Sequence, residues 1–148
     1  MTLPPVGEPL DENMVFRLVQ FAGVTYDVRD PSALLHFRES EGDQREFTIP
    51  ISVTDAVTIA AAADARAGVR PSTSELLSLV IDGLGADVIA VRFVRVEGSI
   101  VFAELDLMSP NGRRIFDCRP SDAVAVALRA PMAPVLVNEA IVEGLRRG

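Results

Sequence analysis

The apolar positions of this chain change period along its length, and the changes mark its elements. MVFRLVQFAGVTYDV, starting at Met14, is rich in β-branched and aromatic residues. ALLHFRE, after Pro31, and EFTIPI, after the acidic stretch ESEGDQ, have the same character. All three predict strands, with glycine and aspartate supplying the turn. The period then lengthens. SVTDAVTIAAAADARAG, from Ser52 to Gly68, predicts a helix: Ser52 and Asp55 have the spacing of a capping box and Gly68 can close the end. RPSTSELLSLVIDGLG, from Arg70 to Gly85, predicts a second, capped by Ser72 with Glu75 and ended by Gly83 or Gly85.

Alternation returns in DVIAVRFVRV, IVFAELDLM and RRIFDC, three strands joined by turns at Glu97-Gly98 and at SPNG. Asn111-Gly112 is a strong hairpin signal. Arg119-Pro120 then leads into an apolar helix expected from Ser121, its natural cap, to about Ala130, where Pro131 stops it. PVLVN predicts a last strand. NEAIVEGLRRG predicts a terminal helix, capped by Asn138 and ending in arginines. The pattern is α+β: a mostly antiparallel sheet with about four helices in one compact domain over residues 14–148. The proline-rich, acidic residues 1–13 read as a flexible lead-in rather than a signal peptide.

Composition narrows the function classes. The 148 residues carry a net charge of −7, and every basic residue is an arginine. Lysine nucleophiles and Schiff bases are therefore excluded. So is a broad lysine-rich nucleic-acid surface, although arginine forks still bind phosphate locally. Hydrophobic residues make up 49% of the chain, which favours burial against a second copy. No apolar run is long enough to span a membrane. A single cysteine, Cys118, points to a reducing cytoplasm and, by alternation, to the core. His36, the lone histidine, sits mid-strand with no second ligand and reads as a structural residue.

The candidate chemistry lies around the SPNG hairpin. If Asn111-Gly112 form a two-residue turn, Asp106 opposes Asp117 and Glu104 opposes Arg119. If all four residues form the loop, Glu104 opposes Asp117. Either register sets an acid against Asp117 on the face that also carries Phe102 and Ile115, away from Val101, Ala103, Leu105 and Leu107. Opposed like charges need an arginine, a shared proton or a metal ion. The plain reading is a strand-to-helix corner: Asp117 paired with Arg119, Pro120 shaping the entry, Ser121 capping, Asp122 favoured by the helix dipole. The chemical reading is that Asp117 and Asp122, with Glu104 or Asp106, gather oxygen ligands for Mg²⁺ or Mn²⁺, with no organic cofactor. A serine-nucleophile hydrolase has no support, because Ser121 lacks a histidine base.

At these residues the chain resembles the bifunctional nuclease domain family. FDCRPSDAVAVALR resembles the family's aspartate, then arginine-proline-serine-aspartate, leading into an alanine-rich helix. RPSTSELL, Arg70 to Leu77, resembles its second motif, with Ser74 where the family usually has histidine. The resemblance implies a compact homodimer or larger assembly, and cleavage of DNA and RNA. It points to Asp117, Arg119, Ser121, Asp122 and Glu75 as catalytic, and to Arg70, Thr73 and Arg119 as phosphate-binding. The alternative is a homo-oligomeric binding or regulatory scaffold that keeps the fold without the chemistry.

Overall fold

The computed structural model describes residues 14–27, 29–64 and 70–145. The expected lead-in over 1–13, the stop at Gly68 and the terminal arginines lie outside the described residues. The elements follow the expected order: β1 (Phe16–Asp27), β2 (Asp30–Glu39), β3 (Glu46–Ile51), α1 (Val53–Ala63), α2 (Thr73–Gly83), β4 (Asp87–Glu97), β5 (Ile100–Ser109), β6 (Gly112–Cys118), α3 (Pro120–Leu128), β7 (Val135–Asn138) and α4 (Glu139–Leu145). The seven strands of the described residues form one sheet in the order β3-β2-β1-β7-β4-β5-β6. Only the β4–β7 pair is parallel. The architecture is α+β and mostly antiparallel.

The sheet is curled. Phe37 on β2 and Phe93 on β4 bring their ring centroids to 5.2 Å. On a flat sheet the two intervening strands would hold those backbones roughly 14 Å apart. The concave face collects Phe37, Phe47, Phe93, Val91, Leu105 and Val137 into one core, with Phe37 stacked on Phe47. Helix α3 lies in that hollow and touches α1, α2, β3, β4 and β5. A helix surrounded on most sides must be apolar nearly all round, which explains its run of alanines and valines. Cys118 packs against this core, as alternation predicts. Burial pushes its thiol up to about 12. His36 on β2 shares a 2.9 Å hydrogen bond with the Thr25 hydroxyl on β1, as a structural residue should.

The β5–β6 hairpin takes the second of the two expected registers, with Met108 opposite Arg113 and Glu104 opposite Asp117. Its tight turn is not Asn111-Gly112. Ser109 pairs with Gly112, so Pro110 and Asn111 occupy the corner. Proline suits the first corner position and Gly112, at φ +115°, follows the corner. The Ser109 hydroxyl closes the turn, donating to the Gly112 carbonyl at 2.8 Å. Asp106 therefore faces Ile115 rather than Asp117.

Candidate functional site

Strand β6 ends at Cys118, and the chain turns through Arg119 into α3. The helix starts earlier than Ser121. Arg119 is the N-cap and Pro120 the first helical residue, where a missing N–H costs nothing. Asp122 takes the role of the capping acid and accepts from the Arg119 backbone N–H at 3.3 Å. Ser121 is thus not a cap. It is buried in the first turn of the helix. The caps expected of α1 and α2 hold: Ser52 accepts from the Asp55 N–H and Ser72 from the Glu75 N–H.

The Arg119 side chain, expected to pair with Asp117, instead links two helix starts. Its Nε and Nη2 donate to Asp122 at 3.1 and 3.0 Å, and its Nη1 donates to Asp55 at 3.1 Å. These carboxylates, Asp122 first, hold the guanidinium in its charged form. Yet the Arg119 side chain remains 65% exposed, so the bridge stands at the surface. On one side of it opens a cleft of about 500 Å³ between the end of β3, the β4–β5 turn and the start of α3. Asp55, Phe102, Asp117, Arg119, Ser121 and Asp122 line it. On the other side, a narrower cleft of about 290 Å³ lies between the helices. There Thr73 and Ser74 of α2 join Asp55, Arg119, Ser121 and Asp122.

Five expected residues, Asp117, Arg119, Ser121, Asp122 and Thr73, therefore gather around one bridge. The others do not. Arg70 is exposed ahead of α2 and lines neither cleft. Glu75 turns to Arg129, 3.6 Å away beyond the opposite end of α3. Asp106 is fully buried on the outer face of β5. Arg113 donates to both its oxygens, at 2.9 and 2.6 Å. Arg92 Nη1 sits 2.7 Å from Oδ2, an ion pair lying off the ideal hydrogen-bond direction. Glu104 lies beside it, 3% exposed, with its Oε2 buried and without a hydrogen-bond partner. The four-acid metal centre of Asp117, Asp122, Glu104 and Asp106 does not assemble. Among the described residues, no three His, Cys, Asp or Glu side chains lie close enough together to hold a metal ion. The physical reason is that Asp106 is taken by two arginines, Arg113 from β6 and Arg92 from β4.

Asp55 is the site residue that the sequence left as a helix-cap acid. Its place in the first turn of a helix accounts for an acid there without any link to Arg119. Its link to Arg119 spans 64 residues and depends on how α1 packs beside α3.

The corner and both clefts fall within the stretch that matches a protein-family model. Residues 35–146 match the model of the bifunctional nuclease domain. The chain belongs to the bifunctional nuclease domain family. Two similar proteins come from Mycobacterium tuberculosis: uncharacterized protein MT1877 of strain CDC 1551 and uncharacterized protein Rv1829 of strain H37Rv. Each is 32% identical over 123 residues, covering 83% of this chain and 72% of the relative. Among the described residues, no helix is long and apolar enough to cross a membrane.

Proposed function

We propose that this chain is a nuclease that hydrolyses phosphodiester bonds of DNA and RNA in the open cleft beside Arg119, with Mg²⁺ or Mn²⁺. The observation that carries this reading is the convergence of Asp117, Arg119, Ser121 and Asp122 on one open cleft. The family membership supports it.

Local charge argues for the cation. Asp55, Asp117 and Asp122 outnumber Arg119 in the cleft, which repels a polyanion unless a positive ion intervenes. Mg²⁺ often takes only one or two protein carboxylates and completes its shell with water and substrate phosphate. Asp117 and Asp122 fit that mode, whereas Asp106 does not. When bound, the ion would supply an activated water and shield phosphate charge. Arg119 is the residue that meets phosphate: its Nη1 bond to Asp55 is exposed and exchangeable for a phosphate oxygen. Ser121 and the Thr73 hydroxyl offer neutral hydrogen bonds at the wall.

The test is cleavage of labelled single-stranded DNA and RNA with Mg²⁺ or Mn²⁺, comparing the parent with a folded Asp117→Ala, Asp122→Ala double variant. Cleavage by the parent and its loss in the variant are expected. A second reading, a binding scaffold without chemistry, rests on the satisfied Asp55–Arg119–Asp122 network. Parent protein that cleaves neither polymer, or a variant equal to it, selects that reading.

A further inference from the structure

Phe21, Phe37, Phe47, Phe93 and Phe116 belong to the core or pack against it, and Phe102 does neither. It stands half-buried on the outer face of β5. It is also the one aromatic side chain among the described residues that line the open cleft beside Arg119. Arg95 faces it across the β4–β5 ladder, and the guanidinium lies over the ring, 4.2 Å from the centroid. The Arg95 Nε donates to Glu97 at 2.9 Å, which helps hold it there. A cation thus covers one face of a ring that still borders the cleft. Pro50, Ile51 and Ile100 add apolar wall, with Ile100 61% exposed. In the β5–β6 ladder Glu104 faces Asp117 and Ala103 faces Cys118, so the next step of the register sets Phe102 beside Arg119. An aromatic wall therefore adjoins the arginine that meets phosphate.

We propose that Phe102, backed by Arg95, is the platform on which one unpaired base of the substrate stacks while the adjoining phosphate meets Arg119, so that the cleft selects single-stranded nucleic acid. The inference rests on the nuclease reading of this cleft. A nucleotide joins its phosphate to its base through one sugar, so a phosphate held at Arg119 keeps its base within reach of the neighbouring ring. Every base has a π face, and stacking therefore serves DNA and RNA alike. A paired base keeps both faces inside the helix stack and must leave it before it can meet Phe102. The cleft, at about 500 Å³, has the size of a small-ligand pocket and suits a splayed nucleotide better than a rod. Charge favours the same reading. Asp55, Asp117 and Asp122 line the cleft, so long-range attraction for a polyanion is weak, and stacking supplies affinity that needs no net charge.

The test compares three labelled DNA substrates with Mg²⁺ or Mn²⁺: a single strand, the same strand annealed to its complement, and a strand whose middle carries stable abasic sites. The parent, Phe102→Leu and Phe102→Trp are assayed on each. The parent should cleave the intact single strand with a kcat/KM about 10-fold above that on the duplex or the abasic stretch, the scale of one lost base stack. Phe102→Leu should lose that advantage through a higher KM and match the parent on the abasic stretch. Phe102→Trp, which keeps a π face, should keep the parent's KM. A parent that cuts the abasic stretch as fast as the intact strand, or a Phe102→Leu protein with the parent's KM, overturns the proposal. If Phe102→Leu does not fold, the parent's abasic comparison decides. A parent that cleaves nothing sinks the nuclease reading alone. The platform is then read by quenching of a fluorescent adenine analogue in a single strand with Ca²⁺. Quenching by the parent upholds it, and no quenching overturns it.

Discussion

Glu104 and Asp106 stand two residues apart on the same face of β5, and their surroundings drive their carboxyls in opposite directions. Burial raises Glu104, and although Arg92 and Arg95 pull it back, the net shift is upward. Burial alone would also raise Asp106, but the hydrogen bonds from Arg113 and the paired charge of Arg92 outweigh it and hold that carboxyl below the ordinary range. One pair of arginines thus settles one acid and leaves its neighbour wanting a proton.

Glu104→Gln should therefore stabilise the protein at pH 7, by about 1 kcal/mol, the scale of an unmet buried acceptor. For a carboxyl raised on folding, the native state holds its proton more tightly than the unfolded chain. Stability falls as pH climbs from the ordinary glutamate range to the raised folded value, and is flat above it. The gain from the amide should accordingly vanish at pH values below the ordinary glutamate range. Urea unfolding of both proteins across pH checks this. A variant less stable than the parent at pH 7 would contradict it.

Asp106→Asn should do the reverse, costing about 3 kcal/mol by leaving buried Arg92 without its counter-charge. The depressed carboxyl contributes fully above the ordinary aspartate range, and its contribution is lost as pH falls through the folded value. The parent should thus lose stability in strong acid more steeply than Asp106→Asn. Thermal melts from pH 7 downward measure both slopes.

Arg119→Lys should separate chemistry from stability. The Arg119 pairs are exposed, so their loss should shift the melting temperature little, at most about 1 kcal/mol in stability. Lysine keeps the charge but not the fork that reaches Asp55 and Asp122 together, so cleavage should fall by more than ~10-fold. A melting curve and a cleavage assay on one preparation suffice. Full activity in the lysine variant would remove Arg119 from the phosphate site.

Cys118 should be inert to thiol reagents in the folded protein. Burial first, then the charges of Asp122, Asp117 and Glu104, push its thiol to about 12, so almost no thiolate exists at pH 8. Labelling by a disulfide reagent should be slow in buffer and complete within the mixing time in denaturant. Rapid native labelling would show that the corner at the foot of α3 opens.

The elements were legible because each states its period locally: the Ser52 and Ser72 caps, the alternation of β5 and the apolar run of α3 all appear where local chemistry puts them. The corner itself was half legible. The sequence placed Asp117, Arg119 and Asp122 at one corner but paired Arg119 with Asp117, whereas the Arg119 guanidinium goes to Asp122, three residues on, and to Asp55. What failed depends on distance or on a one-residue shift of a turn. Moving the tight turn from Asn111-Gly112 to Pro110-Asn111 faces Asp106 with Ile115. The pull of Arg92 on Asp106 comes from β4, which no inspection of the hairpin alone reveals. Arg70 and Thr73 share a motif yet part company, because only Thr73 is inside the helix that α3 positions.

The seating of β7 has a consequence in time. This four-residue strand alone joins β1 to β4 in the sheet order, hydrogen-bonded to both. It is also the last of the seven strands to leave the ribosome. Until it is made, no strand joins β1 to β3 with β4 to β6 in the sheet order. Sheets that close by such distant pairing fold slowly and expose their edges meanwhile. The step that commits this protein to its native shape is thus the arrival of Val135–Asn138, and stalled chains lacking it should be the form that chaperones and proteases meet.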